Sequence, residues 1–191
     1  MALEEQPIVS FKKPSEWEKW LSKNHAAVDH VWLRIYKKGT RVQSITYDEA
    51  LDCALCFGWI DGLRKSYDKD SYIQRFTPRR RNSIWSKRNR EHIERLIDAG
   101  RMKPSGLAEV QRAKDDGRWA QAYDSPKDME IPEDFLRELH KSKRAERFYK
   151  TLSKANLFAI AWRLQTAKKP ETRARRMEAL LTMLKEGRKL H

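Results

Sequence analysis

The chain of 191 residues has few of the residues that build disulfide or metal sites. It contains two cysteines, Cys53 and Cys56, and its five histidines are scattered along the sequence. This excludes a disulfide framework and leaves no second cysteine pair to complete a zinc site. Thiols three residues apart on one predicted helix are typical of core positions. We therefore predict no metal, no cofactor and two reduced thiols.

Long apolar runs are also missing. The longest one, at residues 54–60, has about seven residues, far short of the roughly 20 that cross a bilayer. The first residues, MALEEQPIVSF, contain two acids and lack the apolar region of a secretory signal. These absences predict that the protein does not insert into a membrane and lies in the cytoplasm, where thiols stay reduced.

The common catalytic motifs are absent as well. The sequence has no glycine-rich phosphate loop, no matched Ser/His/Asp set and no H-E-x-x-H string. Asp61 is the one acid that stands out as a weak candidate for a general base, and no histidine or nucleophile is matched to it. The sequence therefore predicts no reaction and leaves open whether the protein is an enzyme.

Positive charge is abundant and unevenly distributed. The formal net charge is +14. Residues 78–103 contain 9 Lys and Arg against 3 Asp and Glu, and residues 137–191 contain 16 against 5, whereas residues 104–136 contain 4 against 8. Such blocks are typical of a protein with an anionic partner, or of helices with a strongly solvated basic face.

The first half of the chain alternates helical and strand patterns. A helix is predicted from Pro14 to Asn24, because Trp17, Trp20 and Leu21 recur at helical spacing. The segment HVWLRIY alternates with period two and predicts a strand. The next predicted helix begins after Thr46, because Glu49 three residues later completes a capping box.

Two more strands are predicted around a turn at residues 68–70, and the second ends at Pro78. After Pro78 only helical patterns occur. The predicted fold class is α+β: a small antiparallel sheet with helices packed on it, followed by an all-helical C-terminal region. The predicted domains are residues 1–103 (α+β), 104–131 (a helix and an acidic linker) and 132–191 (helical).

The stretch RFTPRRRNSIWSKRN, residues 75–89, carries six cations. Asn82 or Ser83 is the predicted cap of a helix with the apolar stripe Trp85, Ile93, Leu96 and Ile97. The arginines would then lie at the positive pole of this helix, an arrangement that is unfavourable without an anion. Three partners remain open: internal acids such as Asp61 or Glu91, a small anionic ligand, or a nucleic-acid backbone.

For a small anionic ligand, we expect guanidinium groups and the helix start to hold the anion between two aromatic walls, with one carboxylate as a selector. The predicted ligand-binding residues are Trp59, Asp61, Arg75, Arg79, Arg80, Ser83 and Trp85. Core packing is the competing role of each aromatic residue. The alternative is a nucleic-acid-binding protein that uses the basic stretch 78–103 and the basic C-terminal helices along a phosphate backbone. A protein-interaction module is a third alternative.

Several strings together resemble those of the YdeI/OmpD-associated (OmdA) family, also called bacteriocin-protection proteins. They are ALCFGWIDG, RFTPRRRNSIWSKRN, LIDAGRMKPSG, AKDDGRW and AKKPETRARRMEALLTMLKEG. The resemblance extends from about Trp17 to Lys189. It implies a stress-associated bacterial protein, linked by the family name to resistance against antimicrobial peptides and to an outer-membrane porin, and it implies no reaction or cofactor.

The sequence departs from this family in one respect. Family descriptions favour a periplasmic location, whereas this chain shows no secretory signal. The net charge of +14 also argues against direct capture of cationic peptides, which would need an acidic surface.

Overall fold

A computed structural model of the chain describes residues 8–125 and 128–190. Residues 1–7 of the predicted first domain, residues 126–127 of the predicted linker and residue 191 lie outside the described part. The elements in chain order are β1 (Ile8–Val9), α1 (Pro14–Asn24), β2 (Val31–Tyr36), α2 (Tyr47–Cys56), β3 (Trp59–Ser66), β4 (Ser71–Pro78), α3 (Lys87–Asp98), α4 (Pro104–Asp115), α5 (Glu133–His140), α6 (Lys143–Tyr149), α7 (Lys154–Gln165) and α8 (Pro170–Lys185).

The described residues form two units. The first comprises residues 8–85 and 89–121. It contains the whole sheet, helices α1, α2 and α4, and α3 from residue 89 onward. The second comprises residues 86–88, 122–125 and 128–190, with helices α5 to α8. The division at residues 103 and 131 stays a prediction about domains.

The sheet has the strand order β1-β2-β4-β3. The β2–β4 and β3–β4 pairs are antiparallel, and the α+β class is confirmed. The two-residue strand β1 pairs with β2 in parallel and makes the sheet mixed. Helix α1 connects these two strands and returns the chain to the same end of the sheet, which is how parallel neighbours are joined.

The predicted helices of the first unit follow their local signals. In α1, Trp17 and Leu21 are fully buried, and the Trp17 indole donates a hydrogen bond to the carbonyl of Ala50 at 3.1 Å. The capping box of α2 is confirmed: the Glu49 carboxylate accepts from the Thr46 backbone N–H at 2.8 Å, and the Thr46 hydroxyl accepts from the Glu49 N–H at 3.3 Å. The hydrogen bond of Trp17 to Ala50 thus anchors α1 on α2.

The β3–β4 hairpin turns where the sequence predicts it. The Asp68 carboxylate accepts from the backbone N–H of Asp70 at 2.9 Å and from the hydroxyl of Ser71 at 2.8 Å. These local hydrogen bonds stabilise the turn. The turn in turn fixes the strand register in which Ser66 pairs with Tyr72.

Helix α3 differs from its prediction: it begins at Lys87, and neither Asn82 nor Ser83 caps it. Tertiary hydrogen bonds explain the shift, because the Ser83 carbonyl accepts from Arg118 at 2.7 Å and the Ile84 carbonyl accepts from Arg79 at 3.1 Å. These are the carbonyls that an earlier helix would use. Ile93 and Leu96 of the predicted stripe are buried, Trp85 precedes the helix, and Ile97 is 39% exposed.

The C-terminal sequence shows three helical apolar patterns, at residues 135–139, 157–164 and 177–184, whereas the described residues of the second unit form four helices. The missed helix, α6, is only seven residues long and buries one residue, Ala145, so it shows no apolar stripe. The core of the unit is formed by large apolar side chains: Phe135, Leu139, Ile160, Leu164, Leu180 and Leu184. Within the described ranges, no helix is both long and apolar enough to cross a membrane.

Both cysteine thiols are free and buried in α2. Burial raises the pKa of Cys53 to about 12 and that of Cys56 to about 11, so the reactive thiolate is scarce at neutral pH. We expect the folded protein at about pH 8 to react with a thiol reagent only at the rate at which it opens, and the denatured protein to react at once at both cysteines. Rapid labelling of the native protein would contradict this prediction.

Candidate functional site

The residues predicted to bind a ligand are distributed over three places. Trp59 and Asp61 lie at the start of β3, Arg75 lies in β4, and Arg79, Arg80, Ser83 and Trp85 lie in the loop between β4 and α3. Whether any of these residues binds a ligand stays a prediction.

Trp59 is a core residue by its contacts. It is 1% exposed, its indole N–H donates to the carbonyl of His25 at 3.1 Å, and its ring packs edge-on against Trp20 with centroids 6.2 Å apart. Trp85 has other neighbours, since the guanidinium carbon of Arg79 lies 3.6 Å from its ring centroid. The two tryptophans therefore pack in different side-chain clusters.

Asp61 is half-buried, and its carboxylate accepts a hydrogen bond from the hydroxyl of Tyr47 at 2.8 Å. Arg75 stands opposite Trp32 on the neighbouring strand. Its Nε atom is buried and has no hydrogen-bond acceptor among the residues that the structure describes.

The loop after β4 holds Arg79 in the interior of the first unit. Arg79 is 6% exposed, its backbone N–H donates to the carbonyl of Gly58 at 2.9 Å, and its guanidinium lies on Trp85. Arg80 and Arg81 are exposed. The Ser83 N–H donates to the Arg80 carbonyl at 2.9 Å, as in a turn. Because α3 begins only at Lys87, the predicted contact of these arginines with a helix pole at Ser83 is wrong.

Three residues that the sequence did not indicate complete this region: Arg90, Arg118 and Trp119. The Trp85 and Trp119 rings meet edge to face with centroids 5.0 Å apart. Arg90 donates to the Trp119 carbonyl at 3.1 Å, and its guanidinium lies 5.2 Å from the Trp119 ring. We call Arg79, Trp85, Arg90, Arg118 and Trp119 the Arg-Trp cluster.

Arg118 is the most enclosed arginine of the cluster, at 4% exposed. Its Nε atom lies 2.8 Å from both carboxylate oxygens of Asp116, and its Nη1 donates to the carbonyl of Ser83 at 2.7 Å. Its Nη2 is buried and has no acceptor among the described residues. The same holds for Nε of Arg90 and for the indole N–H of Trp85.

Three buried, unpaired N–H donors thus belong to one cluster. Two of them are on guanidinium groups, and the cluster contains a third guanidinium group, that of Arg79. Asp116 bonds to Arg118, and the half-exposed Glu94 lies 3.6 Å from Arg90. The three unpaired donors on Trp85, Arg90 and Arg118 thus lie among positively charged groups. No local pattern could have shown this, because Arg118 reaches the loop across 35 positions of sequence.

A cleft of about 670 Å³ also occurs in the first unit, between the end of α1 and the start of α4. Its lining includes Glu18, His25, Phe57 and Lys103 and none of the predicted ligand-binding residues. Within residues 8–125 and 128–190, no group of three or more His, Cys, Asp and Glu side chains could hold a metal ion.

Two family models match the chain, one mostly within the first unit and one within the second. A family model described as a domain of unknown function (DUF8412) matches residues 9–109, which is more than half of the chain. The chain therefore belongs to the DUF8412 family. A second model, described as "Bacteriocin-protection, YdeI or OmpD-Associated", matches residues 128–187. No curated protein and no solved structure matches the chain.

The predicted resemblance to YdeI/OmpD-associated proteins is confirmed for the C-terminal part, residues 128–187. The tail AKKPETRARRMEALLTMLKEG lies inside that match. The strings ALCFGWIDG, RFTPRRRNSIWSKRN and LIDAGRMKPSG lie in the DUF8412 match, whose description assigns no function. The Arg-Trp cluster joins residues from this match to Arg118 and Trp119, which follow it.

Proposed function

We propose that the first unit of this YdeI/OmpD-associated protein binds a small oxyanion, such as a carboxylate, phosphate or sulfate group, at the Arg-Trp cluster. The observation that carries the proposal is the set of three buried N–H donors on Trp85, Arg90 and Arg118 that have no acceptor among the described residues. Anion binding would be the contribution of this unit to a protein of the bacteriocin-protection type.

The energetic argument rests on the cost of unpaired donors. Leaving one buried donor without an acceptor costs about 1–3 kcal/mol, and more for a charged group. Native proteins therefore contain few such groups, and each calls for an explanation. Two of the three donors here belong to guanidinium groups. An oxyanion has several acceptor oxygens, enough for the three N–H donors. Its negative charge also compensates the positive charge of the guanidinium groups.

The cluster is also held in place before any anion arrives. Arg118 is fixed by Asp116 and by the Ser83 carbonyl, and Arg90 is fixed by the Trp119 carbonyl. Arginines that are already ordered lose little conformational entropy on binding. Of the ligand-binding residues predicted from the sequence, the proposed site includes Arg79 and Trp85. The N–H donors that the sequence prediction assigned to a helix start are supplied here by Arg90 and Arg118.

Phosphate or sulfate is expected to raise the melting temperature of the wild-type protein relative to chloride at equal ionic strength. At a concentration about 100 times Kd, binding to the folded state adds about 2.7 kcal/mol. For a chain of this size, that is a rise on the order of 5–10 °C. The substitution Arg118→Gln should abolish the rise, because it removes the Nη2 donor and its charge. Differential scanning calorimetry across an anion series measures both effects.

The matched control is Arg80→Gln, which removes one positive charge from an exposed position of the same loop. Its melting temperature should respond to the anion as the wild type does. Loss of the response in Arg80→Gln, with retention in Arg118→Gln, would place the anion on the exposed arginines instead. A wild-type protein with no anion response would refute the proposal, and its donors would then be satisfied by water.

Nucleic-acid binding along the C-terminal helices, the alternative predicted from the sequence, has weaker support. Within the second unit, Arg173 forms a two-pronged pair with Asp134, and Arg176 donates to the carbonyl of Arg163 at 2.7 Å. Lys150 pairs with Glu146 at 2.8 Å. Side chains engaged in this way are less available to phosphates than the charge count of the sequence indicates.

A further inference from the structure

The sheet of the first unit presents two chemically different faces. Along β2, Val31, Leu33 and Ile35 are at most 2% exposed, whereas the residues between them are half-buried. The apolar side faces α1, since Trp17 packs on Phe76 of β4 with ring centroids 5.7 Å apart. Because side chains alternate along a strand, the half-buried residues of β2 lie on the opposite side of the sheet.

The strand register identifies the rest of this opposite side. Trp32 pairs with Arg75, Arg34 pairs with Ile73, and Ile73 pairs with Lys65 of β3. Directly paired residues of antiparallel strands project to the same face. We define the outer sheet face by its aromatic and cationic residues and the tyrosine of the adjoining turn: Trp32, Arg34, Tyr36, Lys65, Tyr67 and Arg75.

Aromatic rings and cations alternate on this face. The ammonium of Lys65 lies 5.0 Å from the Trp32 ring centroid. The guanidinium of Arg34 lies between two tyrosines, 4.6 Å from the ring of Tyr36 and 4.7 Å from that of Tyr67. Tyr67 is 48% exposed. Each of these three rings thus has a cation within about 5 Å of its centre.

The charge of the outer sheet face is positive. Arg34 bonds to Asp68 at 2.6 Å, whereas none of the ion pairs found in the described residues involves Lys65 or Arg75. The buried Nε of Arg75 has no acceptor in the described part of the chain. A partner for this face must therefore supply acceptor oxygens and negative charge, together with flat apolar surfaces.

Single-stranded nucleic acid has these properties. Its bases expose both of their ring faces and stack on aromatic side chains, while its phosphates meet arginine and lysine. A duplex offers its phosphates and base edges but not the ring faces of its bases, because these are stacked on one another. Adjacent side chains on one face of a strand are about 6.7 Å apart, roughly two stacking distances, so neighbouring positions have room for bases between them.

We propose that the outer sheet face binds single-stranded nucleic acid, with Trp32 and Tyr67 as stacking platforms and Lys65 and Arg75 as phosphate contacts. The proposal goes beyond oxyanion binding at the Arg-Trp cluster and shares no residue with that site. Either can fail without the other, because Arg118→Gln should leave oligonucleotide affinity unchanged.

The test is fluorescence anisotropy of a labelled oligothymidine of about 12 nucleotides with the full chain, at about 50 mM salt. Trp32→Ala and Tyr67→Ala should each weaken binding by about 5- to 150-fold, the range for loss of one base–aromatic stack. Tyr67 is half-exposed, so its variant keeps the fold even if Trp32→Ala does not. Lys65→Gln should weaken binding and lower the salt dependence by about one phosphate contact.

The matched control for charge is Lys23→Gln, on the exposed side of α1, which should bind the oligonucleotide as the wild type does. A duplex of the same sequence should compete poorly. Equal affinity for duplex and single strand would refute the proposal, and so would wild-type affinity in both aromatic variants. Absence of binding at low salt would also overturn it.

Discussion

Replacement of Gly106 by alanine is expected to destabilise the first unit by about 3 kcal/mol or more, although alanine is the better helix former. Gly106 lies in α4, where it approaches the end of α2. A Cβ atom added there would lie 2.2 Å from the carbonyl oxygen of Cys56 and 2.9 Å from that of Leu55. Both obstacles are backbone atoms, so no side chain can move aside, and α4 must shift away from α2.

A loss of this size corresponds to a fall in melting temperature on the order of 6–12 °C for a chain of this length. Thermal and urea denaturation, followed by circular dichroism, measure it. The matched control is Gly62→Ala in β3, where the nearest atom to the added Cβ is 3.8 Å away. That variant should differ little from the wild type. An unchanged stability in Gly106→Ala would mean that α4 does not dock on α2 in this way.

The second large effect is expected at Asp52, an acid among the buried, otherwise apolar residues 50–56 of helix α2. Asp52 is 8% exposed, and both of its carboxylate oxygens accept from Nη2 of Arg95 at 2.7 Å. The Nδ1 of His92 lies 2.7 Å from one of these oxygens. Asp52→Ala would leave two α3 side chains without their partner. Removing one member of a buried pair costs about 3–5 kcal/mol, and because Arg95 is half-exposed we expect about 2–3 kcal/mol.

The same site predicts a pH dependence. Burial alone would raise the pKa of Asp52, but the hydrogen bonds from Arg95 and His92 outweigh it, and the pKa lies below the ordinary value of 3.8. The stabilisation is therefore fully present above about pH 4 and is lost as the pH falls through the lowered pKa of the folded state. Asp52→Asn should be less stable than the wild type at neutral pH, and the difference should shrink under acid conditions.

Urea denaturation at about pH 7 and about pH 3 measures this difference. The control is Asp98→Asn, which removes an acid from an exposed position of α3, the helix that carries the Asp52 partners His92 and Arg95. Its stability should stay within about 0.5 kcal/mol of the wild type at both pH values. A difference between Asp52→Asn and wild type that persists undiminished in acid would show that the Asp52 charge does not carry the stabilisation.

The elements predicted correctly are those whose signals are local. Helix α1 follows from Pro14 and the spacing of Trp17 and Leu21, and α2 follows from the Thr46–Glu49 capping box. The turn at residues 68–70 follows from an aspartate that bonds to its own backbone neighbours. In each case the deciding contacts span four residues or fewer, so the amino-acid order alone contains the information.

The errors have the opposite origin. The start of α3 moved from Ser83 to Lys87 because Arg118, 35 positions away, bonds to the Ser83 carbonyl. Helix α6 was missed because it buries only Ala145, which leaves no periodic pattern. The tight approach of Gly106 to α2 depends on atoms about 50 positions earlier in the chain.

The sequence by itself determined the α+β class, the basic character of residues 78–103 and the YdeI/OmpD-associated type of the C-terminal part. Tertiary structure decided which arginines of this basic protein face an interior and which face solvent. Arg79 and Arg118 are enclosed, whereas Arg80 and Arg81 are exposed, although all four look alike in a charge count. The reason is physical: a charge belongs to a residue, but its burial and the acceptors it meets belong to segments that only folding brings together.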